Sequence, residues 1–221
     1  MTTLERAQRL RIIFRVGPPI KYISHLDMMR AWERALRRAR VRLAYSQGFN
    51  PRPRLVFAAA LPVGFTAHAE ALDILLEEPT DLQSFAAAVK AQLPAGLELD
   101  SVSEVPSALP SLPSQLVAAE YRVVVETDTP DSGLKERLDQ LLSRVTIPRV
   151  RQRPRGAKEY DLRPLIHKLW LHESQTDRKV IGMLLQADSR ATGRPEEVMS
   201  ALDMAQAVRA IERVRLLFAS P

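Results

Sequence analysis

The stretch "SHLDMMRAWERALRRAR", residues 24–40, decides how the rest of the chain is read. Met28, Met29, Trp32, Ala35, Leu36 and Ala39 recur at helical spacing and make one apolar face, while Asp27, Arg30, Arg34, Arg37 and Arg38 fall on the opposite side. Ser24 stands where an N-cap is needed, and Asp27 follows three residues later in the manner of a capping box. With this helix placed, its neighbours follow. "RLRIIFRVG" (9–17) reads as a strand before it; "RLVFAAALPVG" (54–64) and "ALDILLEE" (71–78) read as strands after it. "DLQSFAAAVKAQL" (81–93) is a second helix opened by Asp81, and "LELDSVSEV" (97–105) a last strand. Strand, helix, strand, strand, helix, strand is the split βαβ order of a ferredoxin-like domain.

A Pro-rich stretch with Pro106, Pro110 and Pro113 reads as a semi-rigid linker over 106–117. The order then repeats. "AAEYRVVVET" (118–127) is a strand, "SGLKERLDQLLSR" (132–144) a helix, and "TIPRVRQR" and "KEYDLRPLIHKLWLHE" extended segments around a basic loop. "KVIGMLLQAD" (179–188) is a strand, "RPEEVMSALDM" (194–204) a helix and "AIERVRLLFA" (210–219) a closing strand. The expected fold is α+β, two tandem ferredoxin-like (βαββαβ) domains over 9–105 and 118–219.

Composition excludes several chemistries. The 221 residues are 46% apolar and 26% charged, a globular balance, and no apolar run reaches the length of a membrane helix. The first residues lack the core of a signal peptide, so a cytoplasmic protein is expected. There is no cysteine, which removes disulfides, thiolate zinc sites, cysteine nucleophiles and cysteine-held iron–sulfur clusters from this chain. His25, His68, His167 and His172 are scattered, so neither a metal nor a cofactor is expected.

The formal charge of +6 is segregated along the chain. Arg30, Arg34, Arg37, Arg38, Arg40, Arg42, Arg52 and Arg54 meet only Glu33 among acids between 30 and 54, whereas 65–105 carries acids against Lys90 alone. Basic residues return with Arg149, Arg151, Arg153, Arg155, Lys158, Arg163 and Lys168. Guanidinium groups donate in pairs to phosphate, so Arg30, Arg34, Arg37 and Arg38 are candidate backbone contacts for a polyanion.

"LAYSQGFNPRPRL" (43–55) adds another chemistry. Gly48 permits a turn closed to other residues, and Pro51 and Pro53 stiffen the exit. Tyr45 and Phe49 offer aromatic faces, and Ser46, Gln47, Asn50 and Arg52 offer polar groups, the combination that stacks and reads unpaired bases. The opposing reading buries Tyr45 and Phe49 as loop anchors. In "RVRQRPRGAKEYDLRPLI", Arg149, Arg151, Arg153 and Arg155 alternate and would share one side of a strand, with Lys158 and Arg163 beyond the turn at Gly156.

The run "KYISHLDMMRAWERALRRARVRLAYSQGFNPRPRLVFAAALPVG", with "ALDILLEE" and "GAKEYDLRPLI", resembles the radical-SAM-linked domain of unknown function, a bacterial family. Its members stand alone or are joined C-terminally to B12-binding-type radical SAM proteins. The resemblance implies association with a radical SAM enzyme, and members often occur beside genes for ribonuclease E/G and ribosomal proteins. Lacking cysteine, the chain cannot itself be that enzyme. Charge and context together point to an RNA- or ribonucleoprotein-binding accessory protein that positions substrate for a separate radical SAM enzyme. The alternatives are a protein adaptor for that enzyme, without RNA binding, and a metal-independent endoribonuclease using His25 and Tyr45 as acid and base.

Overall fold

In a computed structural model, residues 7–153 and 156–219 are described, the side chains of 152 and 153 excepted. The chain is α+β and divides into two compact units, the first reaching Leu116 and the second spanning Val117–Phe218.

The first unit begins with β1 (Gln8–Val16), which buries alternate residues. Leu10, Ile12, Phe14 and Val16 point to one side. Helix α1 (His25–Arg38) lies against that side through Met28, Ala31, Trp32, Ala35 and Leu36. Ser24 caps it as expected: its Oγ accepts from the Asp27 amide at 3.1 Å and donates to Asp27 Oδ2 at 2.7 Å. That bond from Ser24, followed by the charge of Arg30, lowers the Asp27 pKa from its ordinary value. The helix stops at Arg40, whose φ of 57° is left-handed. The Val41 amide donates to the Leu36 carbonyl and the Arg40 amide to that of Arg37, both at 3.0 Å, which is a Schellman termination with arginine where glycine is usual.

A loop leads to β2 (Leu55–Phe57), followed by β3 (Thr66–Leu76), α2 (Leu82–Lys90) and β4 (Leu97–Glu104). Asp81 caps α2 by accepting from the Ser84 amide at 2.8 Å. The strands lie in the order β4-β1-β3-β2 and every neighbouring pair is antiparallel. Trp32 is fully buried and meets Phe14 edge-on, with ring centroids 5.0 Å apart. On the other side of the sheet Asp73, itself buried, takes Arg9 at 2.6 Å and Arg11 at 2.8 Å.

Residues 106–117, expected as a linker, include a single helical turn, α3 (Leu112–Gln115), with Leu112 buried. Arg9 also reaches this segment, donating to the carbonyls of Leu109 at 2.7 Å and Pro110 at 3.0 Å.

The second unit contains β5 (Leu116–Glu126), α4 (Asp131–Ser143), β6 (Pro148–Arg153), β7 (Gly156–Asp161), β8 (Ile166–Ser174), β9 (Arg178–Gln186), α5 (Pro195–Ala201) and β10 (Val208–Phe218). Its sheet runs β10-β5-β9-β8, and β6 and β7 form a separate hairpin. The apolar side chains of β5 and β9, with Leu134, Leu138 and Leu141 of α4, make the core. Trp170 is the register partner of Gly182, where any Cβ would overlap its indole.

Candidate nucleic-acid interface

The connection between α1 and β2 is a narrow, pinned loop. Tyr45 pairs with Pro53 in an antiparallel bridge, and the Arg54 amide donates to the Ala44 carbonyl at 2.9 Å. Nearer the tip the Ser46 amide donates to the Arg52 carbonyl at 2.9 Å, while the Arg52 amide donates to Ser46 Oγ at 3.0 Å. Gly48 turns the tip at φ 137°, a conformation other residues rarely adopt. The outcome for the aromatics is divided. Phe49 is fully solvent-exposed and Tyr45 is 46% exposed, so Phe49 is no buried anchor. Gln47, Asn50 and Arg52 are exposed beside it.

The four arginines of α1 are all exposed but not equally available. Arg30 contacts Asp27 at 3.4 Å, and Arg38 donates to the Gln92 carbonyl and, at 3.3 Å, to its Oε1. Among the described residues Arg34 and Arg37 have no hydrogen-bond or ion-pair partner. The acidic middle of the chain draws Arg42 to Glu78 at 2.9 Å and Arg9 and Arg11 to Asp73.

In the second unit the hairpin places Arg149 opposite Tyr160 and Arg151 opposite Lys158, on one side of the ladder. That side is partly occupied. Arg151 pairs with Glu197 of α5 at 3.2 Å and lies over the Tyr160 ring, 4.9 Å from its centroid. Among the described residues Arg149 reaches only the Pro148 carbonyl, at 3.4 Å, and Lys158 is exposed. Arg153 pairs with Gly156 through its backbone, while its side chain and all of Arg155 lie outside the described residues. Arg163 is a bolt of the fold, donating Nε to the Leu142 carbonyl at 2.8 Å and Nη1 to that of Ile166 at 3.0 Å.

His25 and Tyr45 are not joined by a hydrogen bond or ring contact among the described residues. His25 stands edge-on to Phe57, with centroids 5.3 Å apart, and lines a small cavity with Phe14, Met28, Leu61 and Glu70. Glu70 was not anticipated from the sequence. The signal was its parity: it shares the inward face of β3 with Leu72 and Ile74, where a charge is unusual.

Among the described residues no cluster of three or more His, Asp or Glu is placed to hold a metal, and no helix is long and apolar enough to cross a membrane. A family model described as an uncharacterized protein conserved in bacteria matches residues 9–195. The chain belongs to this bacterial family, DUF2344. No curated protein matches it in sequence. Among solved structures it is similar to a chain of a Cbf5-Nop10-Gar1 complex, at 9% identity and a TM-score of 0.47, covering 95% of this chain and 48% of that one. It thus spans about half the length of that neighbour. A glycine cleavage system transcriptional repressor described as putative gives 13% identity and a TM-score of 0.25, covering 96% and 98% of the two chains. A carbohydrate oxidase from Microdochium nivale gives 11% and 0.22, covering 94% and 46%. At these scores none of the three bears on function.

Proposed function

We propose that the chain is an RNA- or ribonucleoprotein-binding accessory protein, built from two tandem ferredoxin-like units, that positions substrate for a separate radical SAM enzyme. The fold reading is supported by the two strand orders, β4-β1-β3-β2 and β10-β5-β9-β8, each of which is what strand, helix, strand, strand, helix, strand gives when β6 and β7 are set aside as an insertion. The binding reading rests above all on Phe49, held in full exposure on a loop tip pinned by the Ser46–Arg52 bonds. An aromatic ring left in water at a rigid tip gains by stacking on another ring, and unpaired bases supply such rings without regard to sequence. Arg34 and Arg37 supply unneutralised charge in the same unit. The radical SAM partner rests on the family resemblance of the "KYISHLDMMRAWERALRRAR" run.

Filter binding of mixed-sequence single-stranded RNA tests the proposal. Submicromolar affinity at low salt, falling steeply as salt is added, supports it; no binding at low salt overturns it. The same exposed ring also suits a protein groove, which favours the adaptor reading. Co-purification with the radical SAM subunit that survives nuclease treatment, in a protein that fails the RNA assay, would establish that reading instead.

A further inference from the structure

The sheet of the second unit turns one face away from α4. On β5 and β9, Tyr121, Val123, Ile181 and Met183 are buried in the core, and Lys179, in line with them, reaches Asp131 at the start of α4 at 2.6 Å. Their neighbours Arg122, Val124, Gly182 and Leu184 therefore point to the other side. Trp170 joins them, because it pairs with Gly182 while Leu169 and Leu171 pair with Met183 and Ile181. Its indole fills the space that a Cβ on Gly182 would take, and Arg122 pairs with the same glycine from the opposite strand. Gly182 thus seats an aromatic ring beside an arginine stem, within the ~5 Å that separates Cβ positions in a cross-strand pair. Both residues are half-buried, and among the described residues neither has a polar partner. Arg122 Nε is shielded from solvent as well. The carboxylates flanking Arg122 on β5 are engaged, Glu120 by Arg215 and Glu126 by Arg209, each at 2.7 Å.

We infer that Arg122 and Trp170 form a seat for an unpaired guanine, an inference that rests on the RNA reading above and names a base for it. A guanidinium drawn partly out of water without an acceptor is unfavourable to the fold, and the protein offers it none. What completes it must present acceptors, since guanidinium and indole N–H groups only donate. It must also be flat if it is to lie against the Trp170 ring. Among the bases, guanine alone shows two adjacent acceptors, O6 and N7, on the edge that an arginine grips with two bonds. Adenine and cytosine place an amino group on that edge, where it meets another donor, and uracil offers a single oxygen. The site uses none of the residues of the Phe49 loop or of α1 and lies wholly within the second unit.

The test is an NMR titration of the full chain, followed at the indole N–H signals of Trp170 and Trp32, with the four nucleoside 5′-monophosphates GMP, AMP, CMP and UMP as probes. Trp32, fully buried, serves as the internal reference. GMP is expected to shift the Trp170 signal with a dissociation constant on the order of 1 mM, the range for so small a ligand. The other three should bind about tenfold more weakly, as a mismatched edge does. All four carry the same phosphate, so equal shifts from all would report the phosphate and overturn the inference; so would no shift from GMP. Arg122→Gln should remove the preference for GMP, whereas Trp170→Phe should weaken all four and keep the preference. An undiminished preference in a folded Arg122→Gln variant also overturns the inference. Should that variant fail to fold, the four nucleotides on the unaltered protein still decide. Phe49→Ala should leave the GMP preference unchanged. A protein that binds single-stranded RNA on filters but does not prefer GMP disproves the guanine seat alone; one that does neither disproves the RNA reading with it.

Discussion

Ser46 and Arg52 hold each other twice: the Ser46 amide donates to the Arg52 carbonyl at 2.9 Å, and the Arg52 amide donates to the Ser46 hydroxyl at 3.0 Å. The second bond depends on a side chain. Ser46→Ala deletes it and should lower local stability by about 1 kcal/mol, read as roughly fivefold faster hydrogen exchange at the Arg52 amide with an unchanged global Tm. RNA affinity should fall with it, since the tip no longer arrives prearranged.

Phe49→Ala isolates the stacking contribution. Because the ring touches nothing that holds the fold, stability should stay within about 0.5 kcal/mol, while single-stranded RNA binding should weaken by about 1–3 kcal/mol in filter assays. Unchanged affinity in this variant would remove base stacking from the account.

Arg34 and Arg163 should behave as opposites despite their common chemistry. The Arg34→Gln/Arg37→Gln variant should reduce the slope of log affinity against log salt by about 1.4, near 0.7 for each lost phosphate contact on a single strand. Arg163→Gln should barely touch that slope but lower stability by about 1–3 kcal/mol, because the carbonyls of Leu142 and Ile166 lose their donors. Chemical denaturation and salt titration of the two variants side by side give both numbers.

Gly182→Ala tests the packing of the second sheet. The added methyl overlaps the Trp170 indole, and a ring lying against a strand moves only as a whole, so a loss of about 1–3 kcal/mol is expected in a thermal or denaturant melt. Tryptophan emission should shift as the ring is displaced.

Asp188 gives a pH signature. It accepts from the amides of Ala191 and Arg190 at 2.8 Å each and from Gln186 Nε2 at 2.9 Å. The Ala191 amide is the largest cause of its depressed pKa, about 2 instead of 3.8, joined by the Arg190 amide, the Gln186 side chain and the Arg190 guanidinium. A depressed carboxyl stabilises the fold above its unfolded value, and that stabilisation is lost as pH falls from 3.8 toward about 2. The Tm of Asp188→Asn should therefore lie below that of the unaltered protein at neutral pH, and the gap should close as the pH approaches 2.

Helix α1 was legible to within two residues at either end because two independent signals coincide there, the Ser24–Asp27 cap and the spacing of Met28, Trp32, Ala35 and Leu36. The strand expected over 54–64 shrank to Leu55–Phe57, since the alanines at 58–60 have little preference for extended chain and Pro62 and Gly64 turn it away. Among site residues, the loop's stiffness followed from Gly48, Pro51 and Pro53, but the exposure of Phe49 did not: an aromatic between polar residues reads equally as an anchor or a probe. Alternating arginines placed Arg149 and Arg151 on one face of the hairpin correctly, yet alternation says nothing of what meets that face, and Glu197 lies 46 residues away from Arg151 in sequence. Arg163 was grouped with the binding arginines because charge counts as surface until a buried carbonyl is known to need it.

The reach of Arg9 has a practical bearing on how this protein is taken apart. One guanidinium grips Asp73 and, beyond it, the carbonyls of Leu109 and Pro110, so the proline-containing segment is strapped to the sheet it follows. A fragment trimmed at residue 105 loses that strap and uncovers an arginine that had three acceptors; one trimmed after Leu116 retains it. Limited digestion with a broad protease should accordingly spare the bonds around Leu109, however much the prolines suggest a place to cut.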